Sequence, residues 1–168
     1  MSYRFLLLFL SLLLFVFNGC GGPAEPTGFP KLVRPVTIKV HKNGEPLSDV
    51  TVILHPKDTM LPFLMTGKTG ADGVATIRTS RNTYSRPGAP VGKFLVQLTE
   101  VIEVDMQGFA AETSRELTAW SREYDRRMDA LRRFSKALDS ADSSPLEMDI
   151  TSSVAAEFDV TKYASPKK

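Results

Sequence analysis

The side chains best suited to thiol or soft-metal chemistry are Cys20, His41 and His55. His41 and His55 each fall on the polar side of a predicted strand, and the two strands follow each other in the chain. Pairing of these two strands would make the histidines cross-strand neighbours. Two imidazoles can form part of a metal site, but the sequence offers no third ligand of this kind. The pattern favours ordinary surface histidines, with no bound metal or cofactor.

Cys20 stands at the end of an apolar run near the N-terminus. Residues 5–17 are apolar except for Ser11, and the basic Arg4 precedes them. A short charged start, an apolar run of about 7–15 residues and small residues at its end are typical of a secretory signal. The run is shorter than the roughly 20 residues of a transmembrane helix. The pattern therefore predicts export.

The pair Gly19-Cys20 resembles the lipobox of bacterial lipoproteins. This resemblance implies a signal peptide at 1–19, cut before the cysteine. It also implies acyl chains such as palmitate on Cys20, which anchor the protein to a membrane of the cell envelope on its periplasmic or surface face. Two or three acyl chains give stable anchoring, and acylation accounts for a lone cysteine without a disulfide partner. The alternatives are an uncut signal anchor and a chance cysteine in an ordinary signal peptide.

Composition sets the size of the domain and the classes of partner. Removing nineteen of the 168 residues leaves 149, enough for one domain with a hydrophobic core. Lys and Arg number 21 against 19 Asp and Glu, and no long basic block occurs. We therefore expect no nucleic-acid partner. The sequence contains no glycine-rich phosphate loop and no nucleophile elbow.

Alternating apolar and polar residues predict a mostly β domain at 36–161. A Gly- and Pro-rich stretch at 20–35 is expected to form an extended tether, and a basic tail at 162–168 ends the chain. The predicted strands are 36–41, 50–55, 63–68, 74–79, 93–104, 146–151 and 154–160. Alternate apolar residues of five of these strands are expected to share an inner face: Val36, Ile38 and Val40; Val50, Val52 and Leu54; Phe94, Val96 and Leu98; Leu146, Met148 and Ile150; Val154, Ala156, Phe158 and Val160. Seven short strands separated by turn residues favour an antiparallel β-sandwich.

A helical period interrupts this pattern before the last two strands. Apolar residues recur every three or four positions, which predicts one long helix at about 110–139. The members of this stripe are Leu117, Trp120, Tyr124, Met128, Leu131, Phe134 and Leu138.

Different parts of this helix are expected to do different things. We expect Trp120 and Tyr124 to pack onto the sheet, and Met128, Leu131 and Phe134 to form a surface that binds an envelope protein or a second copy of the chain. Two alternatives remain. The whole stripe packs on the sandwich, or the helix lies on the membrane surface.

Three stretches resemble the carboxypeptidase regulatory-like, transthyretin-like domains. Residues 43–52 (NGEPLSDVTV) are similar to the opening G-x-P-L-x-G-A-x-V of that family. Residues 69–77 (TGADGVATI) look like its T-D-x-x-G-x-F-x-I, and residues 90–96 (PVGKFLV) like its P-x-G-x-Y-x-V. The resemblance implies a seven-stranded Greek-key β-sandwich. It also implies no catalysis, because such domains usually bind, space or stabilise.

Enzymes of related fold are the alternative. The transthyretin-like hydroxyisourate hydrolases end in Tyr-Arg-Gly-Ser, whereas this chain ends in KYASPKK. Intradiol dioxygenases hold iron with two tyrosines and two histidines, and no such motif is recognisable here. Asp72 suggests a turn rather than a calcium site, because one carboxylate is too few for that ion. The expected function is a lipid-anchored binding or structural module of the cell envelope. The alternative is an enzyme acting on a small molecule.

Overall fold

The computed structural model describes residues 25–58, 61–105 and 113–163. The predicted signal peptide, the lipidation site Cys20 and the tail residues 164–168 lie outside the described residues. Within these ranges the chain is mostly β, with ten strands and one α-helix. The strands are β1 (Val36–Lys42), β2 (Glu45–Pro46), β3 (Val50–Pro56), β4 (Leu64–Lys68), β5 (Val74–Thr76), β6 (Arg78–Arg81), β7 (Tyr84–Pro87), β8 (Gly92–Glu100), β9 (Glu147–Ile150) and β10 (Val154–Asp159). The α-helix, α1, covers Ser114–Leu131, and 3-10 helices cover Lys136–Asp139 and Thr161–Tyr163.

The strands form two open sheets. The smaller has the order β10-β1-β2, with β5 also paired to β1, and the larger has the order β7-β6-β4-β3-β8-β9. Every pairing in the larger sheet is antiparallel. In the smaller sheet β10 runs parallel to β1, with Val36 opposite Val154. The prediction of a wholly antiparallel domain is therefore wrong at this one pairing, because the last strand returns beside the first in the same direction.

One buried apolar cluster joins the two sheets. β1 contributes Val36, Ile38 and Val40, which are the residues predicted to share its inner face. Further members are Val50, Val52 and Leu54 of β3, Phe94, Val96 and Leu98 of β8, and Met148 and Ile150 of β9. The inner faces predicted for these strands are thus confirmed. Burial of these side chains is the main stabilising contribution.

The predicted strand 74–79 is two strands in different sheets. β5 pairs with β1, and β6 pairs with β4. Ile77 lies between them, fully buried, and its backbone N–H donates to the carbonyl of Val36 at 3.0 Å. The chain therefore crosses from one sheet to the other at Ile77. The short strands β2 and β7 are not among the predicted strands.

The turn before β5 requires a glycine and an aspartate at specific positions. Gly73 has φ +73°, and a Cβ there would lie 2.7 Å from the carbonyl oxygen of Val40, so only glycine fits. The Asp72 carboxylate accepts a hydrogen bond from the N–H of Val74 at 3.0 Å. This is the turn role expected for Asp72. The buried hydroxyl of Thr69 donates to the carbonyl of Leu47 at 2.7 Å, which ties this segment to the chain before β3.

Part of the predicted tether packs on the domain. Phe29 is buried, and its ring meets that of Tyr84 edge-on at 4.7 Å. Arg34 and Ala89 exchange two backbone hydrogen bonds, at 2.7 and 3.0 Å. From Glu25 onward the stretch is thus held against the domain by apolar and backbone contacts.

The helix ends earlier than predicted. α1 stops at Leu131, whereas the prediction extended to about residue 139, and the predicted residues 110–112 lie outside the described ones. Arg132 leaves the helix with φ −60° and ψ 128°. The chain then turns inward, and Phe134 and Leu138 are both fully buried in the core. Phe134 was predicted to bind a partner, and this prediction is wrong because its side chain has no exposed surface.

Candidate functional site

Local contacts explain why α1 forms without a buried face. Its N-cap is Thr113, whose hydroxyl accepts from the backbone N–H of Glu116 at 3.3 Å, and the Glu116 carboxylate accepts from the N–H of Thr113 at 2.9 Å. This reciprocal capping box satisfies backbone donors that the helix leaves open. Hydrogen bonds from Arg126 and Arg127 lower the pKa of Glu123 from 4.5 to about 2. Glu123 is therefore charged at neutral pH, and its ion pairs support the helix locally.

The apolar stripe of α1 is exposed at its two ends and half-buried between them. Its members within the helix are Leu117, Trp120, Tyr124, Met128 and Leu131. None of them is buried, and Leu117 and Leu131 are 56% and 54% exposed. They share an arc of about 80° around the helix axis. The rings of Trp120 and Tyr124 stack on each other with centroids 5.4 Å apart and planes 11° apart. Both rings are half-buried and neither belongs to the core cluster between the sheets, so their packing onto the sheet stays a prediction.

An ion pair between a buried carboxylate and a partly exposed arginine holds the C-terminal end of α1 on the domain. The carboxylate of Glu100, at the end of β8, is only 3% exposed. It accepts hydrogen bonds from the backbone N–H of Arg133 at 2.9 Å and from its Nε–H at 2.6 Å. The same guanidinium donates to the carbonyl of Ser48 at 2.8 Å, and Lys42 donates to the carbonyl of Arg133. These contacts attach the chain to the domain directly after the C-terminus of α1.

A second polar network lies beside this pair. Asp139 accepts hydrogen bonds from the hydroxyl of Thr99 and from Arg132, the latter at 3.3 Å, while its carbonyl accepts from Gln97 Nε2 at 2.9 Å. The Arg132 side chain is 8% exposed, and its Nε lies 3.4 Å from Asp129 of the helix. The network therefore couples the last turn of α1 to the outer face of β8.

Removing Arg133 is expected to destabilise the domain. In the Arg133→Ala variant the buried Glu100 carboxylate keeps the backbone N–H but loses its cationic partner. Because the Arg133 side chain is 35% exposed, the loss is smaller than for a fully buried pair, about 1–3 kcal/mol of unfolding free energy. The measurement is urea unfolding followed by circular dichroism. Arg126→Ala, which removes an exposed ion pair on the same helix, is the control and is expected to leave the midpoint nearly unchanged. Equal midpoints for the two variants contradict the buried-pair assignment.

The two histidines are not neighbours. His41 lies on β1 in the smaller sheet, where its Nε2 is 3.2 Å from Glu157 and its Nδ1 is 3.8 Å from Asp159. His55 lies on β3 in the larger sheet and hydrogen bonds to Gln97 at 2.7 Å. The cross-strand pair considered from the sequence does not form, because β1 and β3 belong to different sheets. Among residues 25–58, 61–105 and 113–163, no cluster of His, Cys, Asp or Glu is arranged to hold a metal.

Comparisons with known proteins add no relative. No protein-family model, curated protein or solved structure matches this chain. Among the described residues, no helix has the length and apolar character needed to cross a membrane.

Of the residues predicted to bind a partner, two remain on the surface. Leu131 is exposed and Met128 is half-buried on the apolar stripe, whereas Phe134 belongs to the core. The stripe also includes Leu117, which the sequence analysis placed on the helix but did not assign to binding. The predicted lipidation site, Cys20, lies outside the described residues. The candidate functional site is therefore the apolar stripe of α1. The Glu100–Arg133 ion pair holds the C-terminal end of that helix on the domain.

Proposed function

We propose that this protein is a lipid-anchored, non-catalytic module of the cell envelope that binds a protein partner through α1. The observation that carries the proposal is the partly exposed apolar stripe on a helix whose C-terminal end is held in place by Arg132 and Arg133. Exposed apolar patches of this kind mark interaction sites in soluble domains. Covering Trp120, Tyr124 and the leucines at either end would release water from apolar surface, at roughly 25 cal/mol per Å².

The energetics of short helices support a docking role. Most helices in proteins owe their stability to packing of an apolar face rather than to the intrinsic helix propensity of their residues. α1 has 18 residues, and none of them is buried. Its capping box and ion pairs supply only part of the missing stabilisation. A partner that packs on the stripe would supply the rest.

We further propose that the two sheets form a transthyretin-like Greek-key sandwich of the carboxypeptidase regulatory-like kind. Two features support this finer description. The sheets share one core, and Thr69 links residues of two stretches that carry the resemblance, through its bond to Leu47. Such a domain would hold α1 at a defined height above the anchor, as a scaffold rather than as a catalyst.

The proposed anchor would keep the domain close to the membrane. The described chain begins at Glu25, and by Phe29 it is packed on the domain. The chain between Cys20 and Glu25 spans at most roughly 17 Å when fully extended. An acylated Cys20 would therefore hold the domain near the bilayer surface, which limits its partners to proteins in or near the same membrane.

Lipidation is tested by changing Cys20 to serine. In a diderm host, the wild-type chain is expected to carry acyl mass and to enter the detergent phase on phase separation, because acyl chains partition with detergent. Cys20→Ser is expected to carry no acyl mass and to stay in the aqueous phase. Gly22→Ala, two residues away, is the control and keeps the acyl mass. If wild type and Cys20→Ser have the same mass increment and partition alike, the anchor is wrong. A charge placed on the stripe at Leu131 tests the docking role separately.

A further inference from the structure

We infer that the edge hairpin of the larger sheet, together with the chain segment that leads to the anchor, contacts anionic phospholipid headgroups. We call this surface the basic edge, and its charged members are Lys31, Arg78, Arg81 and Arg86. The inference rests on the proposed anchor at Cys20 and deepens it, because it states how the anchored domain sits on the bilayer.

Hydrogen bonds place the basic edge beside the chain that leads to Cys20. β6 and β7 form a hairpin at one edge of the larger sheet. Arg81 and Arg86 both donate to backbone carbonyls of residues 27–31, at 2.6 and 3.2 Å. Arg86 also meets the carboxylate of Glu25 at 3.4 Å. Because Glu25 lies five residues from Cys20, this hairpin is the part of the domain that a bilayer holding the acyl chains would meet.

The basic edge carries positive charge that the chain does not neutralise locally. Residues 59–99 include Asp72 as their only acid, whereas fourteen of the 19 acids follow residue 99. Among the described residues, Arg86 has Glu25 as a partner, and the other three cations of the basic edge form no ion pair. Basic side chains are attracted to an anionic bilayer surface within about one Debye length, roughly 8 Å at physiological salt. Charge complementarity therefore indicates anionic lipid as the partner.

The side chains suit a bilayer that meets the edge of the sheet rather than one face. Arg78 and Arg81 point to opposite faces of β6, because they are three residues apart and side chains alternate along a strand. Leu32, in the segment before β1, and Leu64, which pairs with β6, are 56% and 53% exposed. Basic side chains beside exposed leucines are the combination that interfacial segments present to lipid headgroups. The basic edge therefore offers both kinds of contact.

This contact would leave the attachment point of α1 far from the bilayer. Glu100 pairs with Val50, the first residue of β3. Leu64 lies near the other end of β3 and pairs with Ser80, which places the turn between β6 and β7 close to Pro56. Six residues of strand separate these two ends, about 20 Å. Since Glu100 holds the C-terminal end of α1, lipid at the basic edge would leave that helix accessible to proteins.

Fluorescence quenching by brominated lipid tests the contact. The full-length chain carries Thr83→Trp, at the exposed turn between β6 and β7, and Trp120→Phe. It is reconstituted into vesicles of phosphatidylcholine brominated near the headgroup end of its acyl chains, with or without phosphatidylglycerol at constant bromine content. We expect stronger quenching at residue 83 when phosphatidylglycerol is present, and recovery of the fluorescence at high salt. The chain with its natural Trp120, the one tryptophan of the sequence, reports α1 and is expected to be quenched less.

Two matched pairs of substitutions test the role of charge. Lys31→Gln with Arg78→Gln removes two exposed cations from the basic edge. Each cation near an anionic surface favours contact by roughly fivefold, so this pair is expected to lower the ratio of bound to free turn by roughly 30-fold and to abolish the effect of phosphatidylglycerol. Arg122→Gln with Lys136→Gln removes two exposed cations elsewhere and is expected to retain that effect. The arginines that hold residues 27–31 on the hairpin stay in place.

The outcomes separate this inference from the proposed function. Quenching at residue 83 that is absent, or equal with and without phosphatidylglycerol, overturns the inference, while acyl mass on Cys20 still supports the anchor. The cations would then serve only to keep the edge strand β7 from pairing with other chains. Quenching that depends on phosphatidylglycerol in a chain without acyl mass supports the basic edge and rejects the anchor. Quenching of Trp120 that equals or exceeds quenching at residue 83 also overturns the inference, because α1 would then face the bilayer.

Discussion

Phe134→Ala is expected to lower the free energy of unfolding by about 3–5 kcal/mol. The ring is fully buried among residues from both sheets, so its removal leaves a cavity that the surrounding strands can close only in part. A loss of this size is a large fraction of the stability of a typical small domain. The measurement is urea unfolding of the full chain in detergent, followed by far-ultraviolet circular dichroism.

Leu131→Ala is the matched control for this prediction. Leu131 lies three residues earlier, on the same apolar stripe in the sequence, but it is 54% exposed. Its truncation is expected to change the unfolding free energy of a single copy by less than about 0.5 kcal/mol. A large loss for Leu131→Ala together with a small loss for Phe134→Ala would contradict this assignment. It would show that Leu131, and not Phe134, belongs to the core.

The strands of the core could be predicted because their signal is local. Alternation along 36–41, 50–55 and 146–151 reflects one face on the core and one outside, and it requires no knowledge of the strand's partners. The structure buries the apolar members of each of these strands. Val52 and Val96 lie in the core as predicted, whereas Phe158 is only partly buried at its edge.

The end of the helix could not be predicted because its cause is distant in sequence. The spacing from Leu131 to Phe134 and Leu138 is the spacing of a continuing helix. Those residues instead enter the core, because the Glu100 carboxylate binds the backbone N–H and side chain of Arg133, 33 residues away. Ser135 then caps the following 3-10 helix by accepting from the N–H of Ala137. The spacing of apolar residues along the chain carries no information about such long-range contacts.

The apolar–polar alternation also could not predict which sheet each strand joins. His41 and His55 lie on consecutive predicted strands, and consecutive strands are paired or adjacent more often than not. Here the chain between β1 and β3 changes sheets, so the two imidazoles never meet. The split of the predicted strand 74–79 at Ile77 has the same origin. Across Ile77 the buried positions keep alternating, because both sheets face one core.

The partly exposed stripe gives α1 two separate properties. Its C-terminal end is fixed by polar contacts of Arg132 and Arg133. Its apolar face does not pack against the core of the domain. Substitution of Arg132 or Arg133 should therefore lower the free energy of unfolding. Substitutions on the apolar stripe should instead weaken binding to the partner. A helix that is simply part of the core would not separate these two effects.

Leu131→Asp tests this separation most directly. The full-length chain is extracted from membranes in mild detergent, and its mass is measured by size-exclusion chromatography with light scattering, together with its melting temperature. Leu117→Glu is the companion variant, because an acid near the helix N-terminus is compatible with the helix dipole, whereas an aspartate in place of Leu131 costs about 0.5 kcal/mol at the other end. Arg122→Asp, on the opposite face, is the control.

The account predicts that wild type and Arg122→Asp elute as a complex larger than one chain. Leu131→Asp and Leu117→Glu are expected to elute as single chains whose melting temperatures match that of a dissociated wild-type chain within a few degrees. A charge on the stripe abolishes docking because it would have to be buried without a partner. The contrary result is a wild-type chain that is already single and that unfolds when Leu131 becomes aspartate, which would show that the stripe belongs to the core of the domain.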